Sequence, residues 1–280
     1  MRIAFLGPKG SYSHAAAIKY ANHYFKQITE CSCQNFDNIL NLVEQHHAEY
    51  GILPIENSNS GLINDVCDLL LKTQLVLIED ITIPIRHQIL VINDTSLKQI
   101  QTIYSHPQPA QQCSKFLKNF SQWKIIFCKS SSMAIQTVAR LKKPNLAALG
   151  STQGGKFYGL QPLLTPITVS NHNINTTRFI ILKNKNYLIN NDDLTKKIMI
   201  IISIEYYTTT LFLILKILQF YNIEISFLRL HKLFNHNKNI IIMEIITHFD
   251  NFYTQQALIR IKHISQSFKI LGCYPSIQIL

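Results

Sequence analysis

Short apolar runs alternate with helix-like stretches through the first two thirds of the chain, and this alternation constrains the fold more than any other feature. Arg2–Leu6, Tyr50–Leu53 and Leu75–Ile83 have the length and apolar content of buried strands. Ala15–Phe25 and Phe36–His47, which lie between them, have the composition of helices. Strands that alternate with helices in this way are typical of α/β domains. The sequence therefore predicts an α/β fold.

The middle of the chain continues the same pattern. We expect further strands at Gln88–Ile92, Ile103–Ser105, Lys124–Cys128, Leu146–Leu149 and Phe179–Leu182. The helices expected between them are Leu62–Leu71, Pro109–Asn119 and Ser132–Leu141. Glu56–Gly61 and Gly150–Gly155 are rich in glycine and small polar residues and are expected to form loops.

A polar segment at 184–197 divides the chain. It shows neither helix nor strand periodicity and is predicted to be a linker between a first domain at 1–183 and a second at 198–280. The second domain has strands and helices in the order βαββαβ, which suits a small ferredoxin-like sandwich. Such modules often bind small effectors, but the fold alone does not assign that role.

Composition and charge exclude several classes of protein. Hydrophobic residues make up 47% of the chain and charged residues 15%, so the chain is not intrinsically disordered. No apolar run approaches the ~20 residues that a membrane span needs. Met1–Leu6 leads directly into Gly7–Gly10 without the long apolar core of a secretory signal. We therefore expect a cytoplasmic protein that is not inserted in a membrane.

The basic charge has two interpretations. The net charge is +11 and the isoelectric point is about 9.3, but the basic residues are scattered and form no stripe of the kind that binds nucleic acid. A positive field would assist the approach of a small anionic substrate. The abundance of isoleucine, asparagine and lysine would equally follow from an AT-rich genome. We predict no nucleic-acid partner.

The cysteines give no sign of a metal or a disulfide framework. There are six, at positions 31, 33, 67, 113, 128 and 273, without a CxxC spacing and without histidines in a zinc-like arrangement. We expect reduced thiols that pack as small apolar groups, and no metal site.

Several polar segments follow predicted strands, where α/β sheets place their ligands. In Gly7–His14, Ser11 or Ser13 can cap a helix whose free N–H groups would favour an anion, or the segment is an ordinary capped turn. Pro54–Gly61 is either a set of turn formers or a polar cluster beside a carboxylate. Ser105–Cys113 places serine, histidine and glutamine side chains beyond a strand end. Asn175–Phe179 sets two hydroxyls beside Arg178, which could grip a carboxylate with two hydrogen bonds.

Together these segments resemble the prephenate dehydratase family. The matching motifs, in order, are Gly7–His14, Pro54–Gly61, Ser105–Cys113, Gly150–Leu160 and Thr177–Phe179. The second domain resembles the family's ACT domain, and Leu271–Ser276 resembles its closing signature. The resemblance covers essentially the whole chain. It is greatest to the dehydratase and ACT portions of the enterobacterial bifunctional enzyme, whose mutase segment would precede Met1, and we expect no chorismate mutase activity.

The resemblance implies a fold, a reaction and a set of roles. The implied fold has two lobes like those of periplasmic binding proteins, the first at about 1–76 plus 165–182 and the second at about 77–164, followed by the ACT domain. The reaction is loss of carbon dioxide and water from prephenate in phenylalanine biosynthesis, which needs no cofactor. Thr177 is implied to assist departure of the ring hydroxyl. The residues implied in binding and orientation are Asn57, Ser105 and Gln112. Arg178 is expected to anchor a substrate carboxylate, with Thr176, Ser11 and Ser151 as further substrate contacts.

Two other residue types near these motifs are expected to have structural roles. Glu56 would repel a dianion, so it is expected to pair with backbone donors or with Lys9. His14 and His106 are expected to hold their loops by hydrogen bonds, with proton shuttling as the alternative.

Two functional alternatives remain open. Arogenate dehydratase would use the same residues on a substrate that carries an amino group in place of the keto oxygen. A non-catalytic protein that binds a small carboxylate would fit the two-lobed fold, but it would not need Thr177 and the amide set. The protein is expected to be a homodimer or homotetramer, by resemblance.

The positions that match the family's effector motifs have changed. Thr209, Thr210 and Leu211 stand where the family has Gly-Ala-Leu, and Arg229, Leu230 and His231 fall within the stretch where it has Glu-Ser-Arg-Pro. The carboxylate that would pair with the ammonium of phenylalanine is thereby lost. We expect feedback inhibition to be weak or absent, in an ACT domain that still folds.

Overall fold

The computed structural model describes residues 1–93, 95–163, 175–185, 196–233 and 238–275. The helices and strands are numbered in chain order. The first group is β1 (Arg2–Leu6), α1 (Tyr12–Tyr24), β2 (Thr29–Cys33), α2 (Phe36–Glu44), β3 (Tyr50–Asn57), β4 (Gly61–Leu62), α3 (Asn64–Lys72) and β5 (Val76–Pro84). The second group is β6 (His87–Val91), β7 (Thr102–Ser105), α4 (Pro107–Gln112), α5 (Ser114–Leu117), β8 (Lys124–Phe127), α6 (Ser131–Leu141), β9 (Leu146–Ser151), α7 (Thr152–Tyr158), β10 (Gln161–Pro162) and β11 (Thr176–Lys183). The third group is β12 (Lys196–Ile204), α8 (Tyr207–Phe220), β13 (Glu224–Leu233), β14 (Lys238–Thr247), α9 (Phe252–His263) and β15 (Ser267–Pro275).

The first sheet forms lobe one. Its strand order is β2-β1-β3-β11-β5, and β4 pairs with β3. β1 is parallel to both of its neighbours, whereas β11 runs antiparallel to β3 and β5. Strand β5 pairs with β11 from Val76 to Pro84, so lobe one continues to Pro84. The lobe boundary expected after residue 76 is therefore wrong, because this strand completes the first sheet instead of opening the second.

The second sheet forms lobe two, with the order β10-β6-β9-β7-β8. The chain enters it through Ile85 and Arg86, between β5 and β6. The helix expected at Pro109–Asn119 is instead two short helices, because Cys113 leaves helical geometry with φ −96° and ψ 11°. Cys113 and Leu117 both pack in the core of this lobe.

The loop expected at Gly150–Gly155 is instead the end of β9 and the start of α7. Ser151 caps the helix by accepting a hydrogen bond from the Gly154 amide. A Cβ atom at Gly154 would lie 2.6 Å from the Gly10 carbonyl oxygen, so the glycine allows the two lobes to approach closely. The presence of a glycine at position 154, part of the pattern that predicts a loop at Gly150–Gly155, is explained by this contact between the lobes.

The third sheet has the order β13-β14-β12-β15, and all of its pairs are antiparallel. Helices α8 and α9 cover one face with an isoleucine-rich core. The other face shares a single core with lobe one, to which the third sheet contributes Met199, Ile201, Phe227, Ile240, Ile242, Leu271 and Tyr274. The predicted fold class, a two-lobed domain followed by a ferredoxin-like βαββαβ domain, is confirmed.

Parts of the sequence-based expectations lie outside the described residues. These are 165–174 of the returning segment of lobe one, 186–195 of the linker, and Ser276 at the end of the ACT signature. Residues 196 and 197, expected in the linker, belong to β12. In the described ranges, no helix has both the length and the apolar character needed to cross a bilayer.

Candidate active site

A cavity of about 320 Å³ lies between lobes one and two, beside the Ile85 crossing. Polar side chains from both lobes line it: Asn57, Asn175 and Thr177 from lobe one, and His87, His106 and Gln112 from lobe two. Of the residues expected in the site, the structure therefore brings Thr177, Asn57 and Gln112 together.

Asn57 and Thr177 form the lobe-one side of the cavity because they are register partners on β3 and β11. Side chains directly opposite each other on paired strands lie on the same face. The Asn57 amide Nδ2 donates to the Thr177 Oγ1 at 2.9 Å, and both residues are buried. The two side chains therefore act as one hydrogen-bonded unit at the cavity wall.

The orientation of the Asn57 amide is fixed on both sides. Two further acceptors share the two hydrogens of Nδ2 with the Thr177 hydroxyl: Asn175 Oδ1 at 2.8 Å and the Thr176 carbonyl oxygen at 3.0 Å. The Oδ1 of Asn57 accepts from the backbone amides of Asn59 at 3.0 Å and Ser60 at 3.2 Å. Because Nδ2 donates to Thr177, the hydroxyl there is an acceptor toward Asn57 and keeps its own proton for a ligand. Thr177 is thus set as a hydrogen-bond donor to the cavity.

Gln112 is held on the lobe-two side by a chain of polar groups in which His87 is buried and Gln112 and Tyr12 are half-buried. Its Oε1 lies 2.9 Å from His87 Nε2, and His87 Nδ1 lies 3.1 Å from the Tyr12 hydroxyl. Burial lowers the pKa of His87, so the ring is neutral near pH 7. The amide oxygen of Gln112 needs a donor, which assigns the proton to Nε2. The NH₂ group is then the end of Gln112 offered to a ligand.

The lowered pKa of His87 predicts a pH dependence of stability. Below the ordinary histidine pKa of about 6.5, the unfolded chain takes up a proton that the folded chain refuses, so the free energy of unfolding falls as the pH drops. Urea denaturation between pH 7.5 and 5 should show a shallower fall for His87→Gln, which keeps a donor to Gln112 but does not titrate. His47→Gln, at an exposed position, is the control and should match the wild type. Equal slopes for all three proteins would contradict the assignment.

Arg178 does not face the cavity, which corrects its expected role as a carboxylate anchor. Adjacent residues of a strand project to opposite faces, so Thr177 on the cavity side puts Arg178 on the other. Its Nε donates to Asp80 at 2.6 Å, and its NH₂ group contacts Glu244 and Tyr274 of the third sheet. Burial lowers the pKa of the guanidinium, but these three partners raise it by more, so the group stays charged. Arg178 is an internal ion-pair residue.

Comparisons with known proteins agree with this architecture. The sequence model of the family described as prephenate dehydratase matches residues 3–187. The chain belongs to this family. The bifunctional chorismate mutase/prephenate dehydratase of Escherichia coli (strain K12) is 42% identical over 276 residues, which are 98% of this chain and 71% of that protein.

Two solved structures share the fold of this dehydratase-family chain. Prephenate dehydratase from Arthrobacter aurescens, in complex with L-Phe, superposes with a TM-score of 0.82 at 20% identity, covering 98% of this chain and 90% of that chain. GqqA, described as a quorum-quenching acylase, gives a TM-score of 0.85 at 22% identity, covering 99% of this chain and 98% of that one. At identities this low, the structural likeness establishes a shared fold but not a shared activity.

Four other residues expected in the site of this dehydratase-family chain are not among the side chains that line the cavity. Ser105 is fully buried and donates to the His106 carbonyl oxygen at 2.8 Å. Ser11 caps α1 by accepting from the His14 amide at 3.1 Å, and Ser151 caps α7. Thr176 contributes its backbone oxygen to Asn57. A direct substrate contact for these four residues stays a prediction.

The expected structural roles are met with one change of partner. Glu56 pairs with Arg229 at 2.6 Å, whereas Lys9 pairs with Glu30 at 2.6 Å. The expectation that Glu56 pairs with Lys9 or with backbone donors is therefore wrong. His14 Nδ1 accepts from the Gly10 amide at 2.9 Å, which holds the first loop as expected. The Nδ1 of His106 lies 3.3 Å from the amide of Gln108 at the start of α4, and His106 also lines the cavity.

Sequence reasoning missed three residues of the site. Tyr12 and His87 orient Gln112, and Asn175 accepts from Asn57. His87 opens β6 directly after the crossing between lobes, and a polar residue at such a crossing was the available signal. Tyr12 lies in Gly7–His14, a motif whose serines and His14 are the more obvious polar candidates.

Proposed function

We propose that this chain is a prephenate dehydratase, which converts prephenate to phenylpyruvate, carbon dioxide and water on the route to phenylalanine. The observation that carries the proposal is the Asn57–Thr177 pair, which presents a hydroxyl donor to a cavity between two lobes. This chain belongs to the prephenate dehydratase family, and Thr177 is the first residue of the segment Thr177–Phe179, which resembles one of the family's motifs.

The reaction needs a donor at one place. The bond between the ring and its carboxylate breaks as carbon dioxide departs, and its electron pair passes through the ring and expels the ring hydroxyl. That oxygen takes up one proton from the solvent and leaves as water. Formation of the aromatic ring supplies most of the driving force. A buried, oriented hydroxyl such as that of Thr177 stabilises negative charge as it develops on the departing oxygen.

The cavity suits a dianion without a buried arginine. Within the described ranges, the lining side chains include no lysine or arginine. Instead, the first turns of α1 and α6 border the cavity through Ser13 and Ser131. Free N–H groups at helix N-termini attract carboxylates and phosphates. Hydroxyl and amide donors, together with the N-termini of α1 and α6, therefore bind the substrate carboxylates in place of Arg178, which was expected to do so.

The test is turnover by the purified protein. Prephenate should be converted to phenylpyruvate, followed by the ultraviolet absorbance of the product, and arogenate should be assayed in parallel for release of phenylalanine. Faster turnover of prephenate supports the proposal. Preference for arogenate would change the substrate, and binding without turnover of either would leave a carboxylate-binding protein.

We also propose that phenylalanine inhibits this enzyme weakly or not at all. In the stretch that resembles an effector motif, Arg229 forms an ion pair with Glu56 at 2.6 Å, and His231 Nε2 lies within hydrogen-bond distance of Asp68 Oδ1, at 2.8 Å. Neither supplies a carboxylate for an ammonium group. Calorimetry should detect no binding at micromolar phenylalanine, and millimolar phenylalanine should leave most activity. Micromolar binding with strong inhibition would overturn this proposal.

The assembly and compartment are proposed as a homodimer or homotetramer in the cytoplasm. All six cysteines carry free thiols, which suits a reducing environment. Light scattering on the protein eluting from a size-exclusion column measures the mass directly, and a mass of about one chain would contradict the proposed assembly.

A further inference from the structure

The Asn57–Thr177 pair has a second pair directly beside it. Arg178 and Glu56 are the next register partners on β11 and β3. Since strand residues alternate between faces, Arg178 and Glu56 face the third sheet while Asn57 and Thr177 face the cavity. The third sheet therefore contacts the opposite face of the two strands that carry Asn57 and Thr177, the residues on which the proposed reaction depends.

The β11 side of this arrangement is held by buried groups. Glu244 on β14 and Tyr274 on β15 both contact the Arg178 guanidinium, and they contact each other. Glu244 is 1% exposed, and its Oε1 accepts from the Ser226 hydroxyl at 2.7 Å. Lys197 lies 3.7 Å from the same carboxylate. The partners leave Arg178 little freedom to move.

The β3 side is held by Arg229 on β13. Its guanidinium pairs with the Glu56 carboxylate at 2.6 Å. The ring of Phe227 lies between the two arginines, 5.3 Å from the Arg178 guanidinium carbon and 4.8 Å from that of Arg229. The contacts to both strands therefore form one continuous group on the third sheet.

The backbone at this point needs such support. The register between β11 and β3 shifts between Arg178 and Phe179, which marks a bulge or a similar irregularity one residue from Thr177. A bulge interrupts the ladder of hydrogen bonds that otherwise fixes a strand. Pro54 on β3 pairs with Phe179 and has no N–H to donate.

We propose that Glu244 and Arg229 are positioning residues for the dehydration reaction. By holding Arg178 and Glu56, they fix the backbone of β11 and β3 where Thr177 and Asn57 are attached. The third sheet thereby acts as a permanent support of the active site, whether or not it senses an effector. The kinetic part of this inference rests on the proposed function.

Kinetics of single variants test the proposal first. Glu244→Gln keeps the shape and removes the charge, and we expect kcat to fall ~10–30-fold while KM changes less than about threefold, because a donor moved by a fraction of an ångström loses rate more than affinity. Tyr274→Phe, a milder change that keeps the ring, should lower kcat ~3–10-fold on the same ground. Arg229→Gln should have a smaller effect than Glu244→Gln, because the Arg229 side chain is 47% exposed.

The matched control is Asp68→Asn, which changes the contact between Asp68 of α3 and His231 of β13. This contact also joins the third sheet to lobe one, but it is not attached to β3 or β11. Asp68→Asn should leave kcat and KM within about twofold of the wild type, the scatter expected of a change distant from the reacting groups.

A double variant separates positioning from general destabilisation. If Glu244 acts through Thr177, then Glu244→Gln in a Thr177→Ala background should cost less than about threefold in kcat, since the donor is already missing. Wild-type kcat for Glu244→Gln and Tyr274→Phe, or the same fold loss in both backgrounds, would overturn the proposal.

A measurement without substrate keeps the inference distinct from the proposed function. Hydrogen exchange followed by mass spectrometry should show faster exchange in peptides covering 52–58 and 176–183 for Glu244→Gln and Tyr274→Phe, and not for Asp68→Asn. Should the wild type fail to convert prephenate while this pattern holds, the function is wrong and the support stands. Unchanged exchange in these peptides would contradict the proposal that the third sheet fixes the backbone of β3 and β11.

Discussion

Replacing Thr177 by alanine is expected to lower kcat by ~10²–10³-fold, which is the typical loss when one preorganised donor is removed from an active site. The structure gives the reason. Asn57 donates to the Thr177 oxygen, so the hydroxyl proton is directed to the ligand, and alanine leaves the departing hydroxide without that donor. The measurement is steady-state turnover of prephenate.

Thr177→Ser and Thr177→Val are the matched controls for this experiment. Serine keeps the hydroxyl and should keep most of the rate, whereas valine keeps the shape and should behave like alanine. Circular dichroism should show that all three variants are folded, because a hydroxyl at the cavity wall contributes little to the core. Turnover at the wild-type rate by the alanine or valine variant would remove Thr177 from the mechanism.

Replacing Arg178 by methionine is expected to lower the free energy of unfolding by ~3–5 kcal/mol, which is the usual cost of removing one partner of a buried ion pair. Methionine fills a similar volume, but it leaves the carboxylates of Asp80 and Glu244 facing each other. Among the residues that the structure describes, Lys197 is then the cation paired with them, at 3.9 Å from Asp80 and 3.7 Å from Glu244. Urea denaturation at neutral pH measures the effect. Arg140→Met, at an exposed helix position, is the control and should change stability by less than about 0.5 kcal/mol.

The loss in the free energy of unfolding caused by Arg178→Met should become smaller as the pH falls. Burial raises the pKa of Glu244, but Arg178 and the hydrogen bonds of Tyr274 and Ser226 lower it by more, so the folded pKa lies below the ordinary value of about 4.5. The stability from this group is therefore present above pH 4.5 and is lost as the pH falls through the folded pKa. Without the arginine, the buried carboxyl protonates more readily, and the two proteins should converge. A deficit that stays constant from pH 7 to pH 4 would contradict this assignment.

Much of the fold could be predicted because strand and helix periods are local. The strand expected at Leu75–Ile83 is observed one residue later at both ends, as Val76–Pro84, and the helix expected at Ser132–Leu141 begins one residue earlier, at Ser131. The failures have tertiary causes. Residue 154 of α7 is a glycine because a side chain there would meet Gly10 of the other lobe, and β5 belongs to lobe one because it pairs with β11.

The site could be predicted in part for the same physical reason. The motif Thr177–Phe179 identified the right strand, but only the alternation of faces decides which of its residues meets the substrate. Thr177 and Arg178 were expected to act together, and they lie on opposite faces. Tyr12 and His87 act through Gln112 over distances in sequence of many residues, so no local pattern reveals them.

The core that lobe one shares with the third sheet bears on how this chain can change over evolutionary time. Met199, Phe227 and Leu271 complete the packing of Leu53, Ile180 and their neighbours, and a Cβ atom at Gly272 would lie 2.0 Å from the Leu77 carbonyl oxygen. We expect loss of the C-terminal module to expose this apolar surface to water and so to lower the stability of lobe one. Selection for a stable fold would therefore favour retention of the module. Its inner face should change slowly across descendants, while the outer faces of α8 and α9 are free to drift.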